Sequence, residues 1–275
     1  MAIDPVLTTS FGNTPNPFPP AINGSLIAAI VGGNPFAQSL TRYDSGTTSA
    51  VFGVISDVAG AAWINEGDAK PDLSVDASSY VAVAQELAGI AMISDRAVRD
   101  ARVDLMGEVQ RVLRTYFGRT LDQGLLHGSG VVPQPRGVLD FATEADGASL
   151  WAAVHTAKAE IVTAGGTPST IALSPVDAIT EEARLNGNNE PMYPAGLSSY
   201  AGLDVVRVPA LAAGEVLVYD RTGCYLVVAE DFRITPSRDY APAYQRDSVA
   251  LRVSGQFTVA VPVPTASIRS VTVTP

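Results

Sequence analysis

The chain has 275 residues, 47% of them hydrophobic and only 17% charged, with a formal net charge of −10. An acidic chain whose 16 Arg and 2 Lys are spread without a run is a poor nucleic-acid binder. A single cysteine, Cys224, excludes an intrachain disulfide. So few charges suit a protein that hides surface against copies of itself, and they are equally compatible with a compact β-rich enzyme.

Residues 1 to about 20 are rich in Pro, Asn and Thr (Thr14-Pro-Asn-Pro-Phe-Pro-Pro20), which predicts an extended or disordered start. The first ten residues lack the basic start and apolar core of a signal peptide, and no apolar run is long enough to span a membrane. Synthesis in the cytoplasm follows. Ser25 to Val31 is a short apolar helix candidate, stopped by Gly32-Gly33.

Two arms of a long hairpin are predicted within residues 43–93. Thr48, Ala50, Phe52, Val54 and Val58 alternate on one arm, and Val81, Val83, Leu87 and Ile93 on the other, which is read as one strand from Tyr80 to Ile93. The polar turn cluster Gly67-Asp-Ala-Lys-Pro-Asp72 lies between them. A two-stranded hairpin is marginal in water by itself. A neighbouring subunit is the economical cover for it.

The next element is a long amphipathic helix. Leu105, Val109, Val112, Leu113, Tyr116, Phe117, Leu121 and Leu125 recur at three-and-four spacing, with Arg102, Glu108, Arg111, Arg114, Arg119 and Asp122 mostly between them. Asp100 or Asp104 can cap its start, and Gly128 is placed to stop it. From Arg102 to Leu126 it would be roughly 37 Å long at about 1.5 Å per residue. Gly107, Gly118 and Gly124 each cost about 1 kcal/mol against Ala. Packing must offset that, so the helix is a spine laid on a sheet, with Leu105, Val109, Val112, Tyr116 and Leu121 as its packing face.

From Ser149 the pattern alternates between helices and strands. Ser149 to Val162 reads as a helix turning Trp151, Val154, Ile161 and Val162 toward a core. Ser169 to Leu173 is a short strand, and Ser174-Pro-Val-Asp177 is a strong start for a second helix ending near Leu185. Asn186 to Tyr200 is a polar loop. Strands are predicted at Leu203 to Val208, Glu215 to Tyr219 and Cys224 to Ala229, with a turn at Asp220-Arg-Thr-Gly223. Cys224 reads as a buried thiol. Ser248 to Val253, Phe257 to Val261 and Ile268 to Thr274 complete the strands.

Catalytic chemistry is not written in the chain. It has two histidines, His127 and His155, and no Cys/His cluster for zinc, no Gly-x-Ser-x-Gly elbow and no phosphate loop. No catalytic, cofactor or metal residue is assigned.

Trp63-Ile-Asn-Glu66, Lys70-Pro71, Ile93-Ser94-Asp95, the long helix, His127-Gly-Ser-Gly130 and Pro135-Arg-Gly-Val-Leu139 come in a fixed order. That order resembles the major capsid proteins of tailed bacteriophages, with the Hong Kong 97-type capsid fold, over roughly residues 20 to 275. The resemblance implies an α+β fold divided into an N-terminal arm (1–42), an extended β-hairpin loop (43–93), a peripheral domain with the spine helix (94–148), an axial α/β domain (149–230) and strands returning to the peripheral domain (231–275). It implies a structural subunit, not an enzyme, that assembles with copies of itself into pentamers and hexamers of an icosahedral shell around double-stranded DNA. The DNA would be enclosed without sequence-specific binding, and the protein would reside in the virion after synthesis in the host bacterial cytoplasm.

Trp63, Glu66, Asp68 and Lys70 then become interface residues of the extended loop, and Asn188, Glu190 and Tyr193 become axial-loop residues. The charged helical leader of many family members is missing, so either it is cut off or a separate scaffold serves, Met1 favouring the second. A portal and possibly decoration proteins are further implied partners. Some members weld subunits through a lysine–asparagine bond; Lys70 could donate, but no asparagine follows Asn189, so covalent linkage is not expected. The alternatives are an encapsulin-like shell around a cargo enzyme and, from a different class, a soluble α/β enzyme.

Overall fold

The structure, a computed structural model, describes residues 34–66, 69–94 and 105–273, without the side chains of 56–59, 105–110, 114, 234 and 272–273. The arm candidate up to Gly33, Asp68, and the cap candidates Asp100 and Asp104 therefore lie outside the described residues. Asn34 leads into a short helix, α1 (Pro35–Ser39), and a strand, β1 (Thr41–Asp44). Then come β2 (Ser49–Ala59), β3 (Ser74–Val83) and β4 (Gln85–Ser94).

β2 and β3 form a two-stranded antiparallel ribbon, with Val51 opposite Val81 and Ala59 opposite Ser74. Gly60 closes its distal end with φ +108; a Cβ there would lie 2.4 Å from the Asp72 carbonyl oxygen, so only glycine fits. The strand expected from Tyr80 to Ile93 is in fact two strands broken at Ala84, whose N–H donates to the Thr48 carbonyl at 2.8 Å. The break has a physical cause, a change of partner: β3 pairs with β2, whereas β4 pairs with β11 (Ser248–Ala260). The hairpin thus spans 49–83, and 85–94 belongs to a sheet.

That sheet has four strands in the order β1, β10 (Tyr225–Ser237), β11, β4. β10 and β11 are each thirteen residues long. The sequence reading ended the first near Ala229 and split the second, because bulges between Val228 and Arg233 break the alternation. The long helix, α2 (Leu105–His127), lies across one face. Phe117, Leu121, Leu125 and Leu126 are buried there with Phe232, Val253 and Phe257. Phe117 meets Phe232 edge-on at 5.7 Å between ring centroids, and each such side chain contributes about 1.5–3 kcal/mol by burial.

The second sheet has six strands in the order β5 (Thr143–Gly147), β12 (Ile268–Val273), β9 (Val216–Tyr219), β6 (Thr170–Leu173), β8 (Leu203–Arg207), β7 (Ser199–Tyr200). The closing strand β12, expected among the segments returning to the peripheral domain, pairs with β5 and β9 in this second sheet. α3 (Leu150–Thr163) covers one face through Ala153, Val154, Ala157 and Ile161. Trp151 and Val162, expected to face inward, are exposed, because the four buried positions already fill the stripe against the sheet.

Both helix starts in this region follow from their caps. Ser149 Oγ accepts the Ala152 N–H at 3.3 Å. Ser174 Oγ accepts the Asp177 N–H at 3.2 Å, with Pro175 in the first turn of α4 (Pro175–Glu182). Tyr219, fully buried, ties the second sheet to α1: its hydroxyl lies 2.5 Å from Ser39 Oγ, and its ring meets Phe36 at 6.1 Å.

Candidate assembly surfaces

Among the described residues, the ribbon is anchored at its root. Ala50 and Ala82 are buried against Val227 and Ala260, and Phe52 stacks on Tyr225 at 5.2 Å and contacts Tyr43 at 5.1 Å. Farther out, every described side chain of β3 from Ser74 to Ser79 is exposed. Alternation puts Val51, Ile55, Val75, Val81 and Val83 on the opposite face from the root contacts, and all five are exposed. At the tip Trp63 is wholly solvent-exposed, with Ile64 and Leu73 also open, and Glu66 and Lys70 are exposed. An aliphatic face and an indole left in water are unusual for an isolated protein.

The long helix divides differently from the reading of its sequence. Of the five expected packing residues, Leu121 is buried. Val112 and Tyr116 are 54% and 67% exposed, and the side chains of Leu105 and Val109 lie outside the described residues. The reason is the helical period: Phe117, Leu121 and Leu125 at spacing four form the buried row, with Leu113 partly buried at its start, and Val112 and Tyr116 sit one residue off it. Tyr116 borders an apolar groove of about 290 Å³ between α2 and β4, lined also by Leu87, Ile90 and Thr120. Ile90 is itself exposed.

A polar junction that the sequence did not reveal lies on the other flank of α2. Asp122 is only 2% exposed, yet it is a carboxylate amid apolar packing. Its Oδ1 accepts the Ala37 N–H at 3.2 Å and its Oδ2 the Phe36 N–H at 3.4 Å, which fastens α1 to the long helix. Burial pushes its carboxyl up to about 6, and the two backbone donors pull the other way. One turn earlier, Gly118 lets Asn34 approach; a Cβ there would lie 2.2 Å from Asn34 Oδ1. The only trace in the sequence is a charged residue flanked by Leu121, Leu125 and Leu126.

The polar loop after α4 is held by an Asx turn. Asn186 Oδ1 accepts N–H groups of Asn188 at 2.9 Å and Glu190 at 3.0 Å. Asn188 and Glu190, the expected axial-loop residues, are exposed. Tyr193 is not free: it is half-buried against the second core, 6.5 Å from the Tyr200 ring, since an aromatic this close to the sheet gains by packing.

Convergent chemistry is missing among the described residues. No group of three metal-ligating side chains comes together there. His127 Nε2 sits 3.1 Å from the Ala210 carbonyl and 3.4 Å from Glu215, and His155 stacks edge-on with Trp151 at 4.7 Å. Asp220 serves its turn, accepting from Thr222 and from the Thr167 N–H. Cys224 is buried, which pushes its thiol up to about 12. No described helix is long and apolar enough to cross a membrane.

Comparison with known proteins agrees with this geometry. The profile of the family described as the phage capsid family matches residues 16–268. A solved structure from Mycobacterium phage Bobi superposes with a TM-score of 0.72 at 21% identity, covering 87% of this chain and 90% of that one. One from Microbacterium phage Oxtober96 gives 0.71 at 18% identity, covering 87% and 91%. The capsid of the native GTA particle gives 0.69 at 17% identity, covering 90% and 91%. At these identities the likenesses show the fold. No curated protein matches the sequence.

Proposed function

This chain belongs to the phage capsid family, and from that premise we propose how its surfaces build a shell. It is a structural, non-enzymatic capsid subunit of the virion, and its copies self-assemble into an oligomeric shell. The soluble-enzyme reading is set aside by the family. The encapsulin-like reading is not favoured, because the matches are to phage structures and GTA capsids.

In the proposed shell, pentamers and hexamers enclose double-stranded DNA, and the inner wall does not grip its sequence. The ribbon of residues 49–83 is the extended loop. Its aliphatic face, Val51, Ile55, Val75, Val81 and Val83, covers the groove between α2 and β4 of the adjacent subunit, where Tyr116 and Ile90 stand exposed. Trp63, Glu66, Asp68 and Lys70 extend that contact at the tip. Asn188 and Glu190 reach toward the capsomer centre. A separate scaffold, a portal and decoration proteins complete the particle, whose parts are made in the host cytoplasm.

The observation that carries this reading is the ribbon itself. A two-stranded sheet of about 33 Å, at roughly 3.3 Å per residue, packed at its root and open beyond it, is marginal in water. The partner that supplies its missing layer is another copy. Replacing Val81 with Asp tests this: the subunit is expected to stay folded while shells no longer form. Shells of normal yield from Val81→Asp would refute the placement of this face at an interface.

A further inference from the structure

A second cavity, of about 280 Å³, lies beside the last turns of α2. Leu87, Leu121, Phe257 and Pro135 line it together with the carboxamides of Gln85 and Gln123. Leu87 and Thr120 line both this cavity and the groove between α2 and β4, so the two adjoin. Gly124 lines it as well, in the interior of the helix, where glycine costs stability against alanine. The subunit's own packing does not explain that cost. Among the described residues, a Cβ at Gly124 would meet Pro135 Cγ alone, at 3.8 Å, an ordinary contact, whereas one at Gly118 would collide with Asn34. What Gly124 keeps open is the cavity.

We propose, resting on the capsid reading above, that this cavity receives the Trp63 indole of a second copy and so anchors the ribbon tip at the end of the neighbour's long helix. Three observations select that occupant. Trp63 is wholly exposed at the tip, whereas the other tryptophan, Trp151, packs edge-on against Tyr200 of its own subunit. An indole is an apolar plate with one N–H, and the cavity offers apolar side chains with the carboxamide oxygens of Gln85 and Gln123 as acceptors. The cavity also continues the groove assigned to the ribbon's aliphatic face, so a single ribbon lying along α2 fills both. The glycine is then kept for a contact that the isolated subunit does not make.

Gly124→Leu, which fills the cavity from the helix side, tests this on the full chain. Its urea midpoint is expected to equal or exceed that of the natural subunit, since leucine is the better helix former and has room. The subunit concentration needed for shell assembly, read by light scattering, is expected to rise at least ten-fold. Trp63→Ala should raise it by a similar factor, and the double variant by no more than the larger single effect, because both remove one contact. A destabilised Gly124→Leu subunit would overturn the proposal, since the fold itself would then need the glycine. Unchanged assembly of Gly124→Leu, or single effects that multiply in the double variant, would overturn it and leave the capsid assignment standing. A natural subunit that never assembles would overturn both. Cross-linking reads the placement with the indole intact. In shells, Ile64→Cys with Gln123→Cys is expected to form an interchain disulfide on mild oxidation, and Ile64→Cys with Thr115→Cys, on the opposite flank of α2, is not. Native Cys224 is buried with its thiol held protonated, so it does not compete. The reverse pattern, or no cross-link to Gln123→Cys, would refute the docking.

Discussion

Asp122 Oδ1 accepts the backbone N–H of Ala37 at 3.2 Å across 85 residues of sequence. That bond, with its companion to Phe36, holds α1 against the long helix at the point where the two sheets meet. Its consequences can be measured in several ways.

The first concerns pH. The folded Asp122 carboxyl sits near 6, above the 3.8 of the free group, because burial disfavours its charge. A raised folded pKa means that its stabilising contribution is complete below about pH 4 and is lost as pH rises through 6. Arg119 flanks the site, and Tyr219 lies behind it with its hydroxyl pushed further up by burial, outside that window. Asp122→Asn removes this dependence. Urea unfolding at pH 4 and pH 7 should show the variant gaining on the natural protein by on the order of 3 kcal/mol as pH rises. A constant difference across that range would show that the group does not titrate as a buried acid.

Gly118→Ala should destabilise the subunit, although an alanine within a helix is normally worth about 1 kcal/mol over glycine. The added methyl would stand 2.2 Å from Asn34 Oδ1, so the buried Asn34 side chain would have to shift. A net loss of about 1–3 kcal/mol is expected in urea or thermal unfolding. A gain would mean that Asn34 swings away freely.

Leu125→Ala removes a fully buried side chain from the row that seats α2 on its sheet. A loss of about 2–5 kcal/mol is expected, measured by denaturant midpoint. Val112→Ala, on the same helix but outside that row and exposed, should cost far less.

Trp63→Ala separates folding from assembly. Trp63 is wholly exposed, so the subunit's own stability should change by no more than about 0.5 kcal/mol. If the indole anchors a neighbour, each contact loses about 2 kcal/mol or more, and the concentration needed for assembly rises at least ten-fold. Light scattering against subunit concentration reads this directly.

Lys70 has no asparagine acceptor downstream of Asn189. Shells boiled in detergent should therefore release single chains. A ladder of covalent multimers would contradict this.

The comparison of sequence with structure has a physical pattern. Elements whose information is local were legible: the Ser174 cap, the helix opening at Ser149, the long helix, the turn at Asp220, and the hairpin. What depended on partners distant in sequence was not. Nothing local tells β3 from β4 across Ala84, because both alternate and only their pairing differs. Nothing local tells that Ile268–Val273 joins β9 rather than the sheet beneath α2. On the long helix the apolar stripe was visible but too wide, and a subunit that also packs against its neighbours shows exposed Val112 and Tyr116 as readily as buried Leu121. Asn34 and Asp122 escaped because each looks like an ordinary surface residue until the other's element is placed beside it.

The central claim is that the ribbon and the open face of the long helix exist to be covered by other copies. Sedimentation velocity with electron microscopy of the purified full chain, alone and with a co-expressed scaffold, tests it most directly. Closed shells or capsomer rings are predicted, and their loss in Val81→Asp with the subunit still folded would tie assembly to the ribbon. A folded chain that sediments as a monomer under every condition would contradict the account.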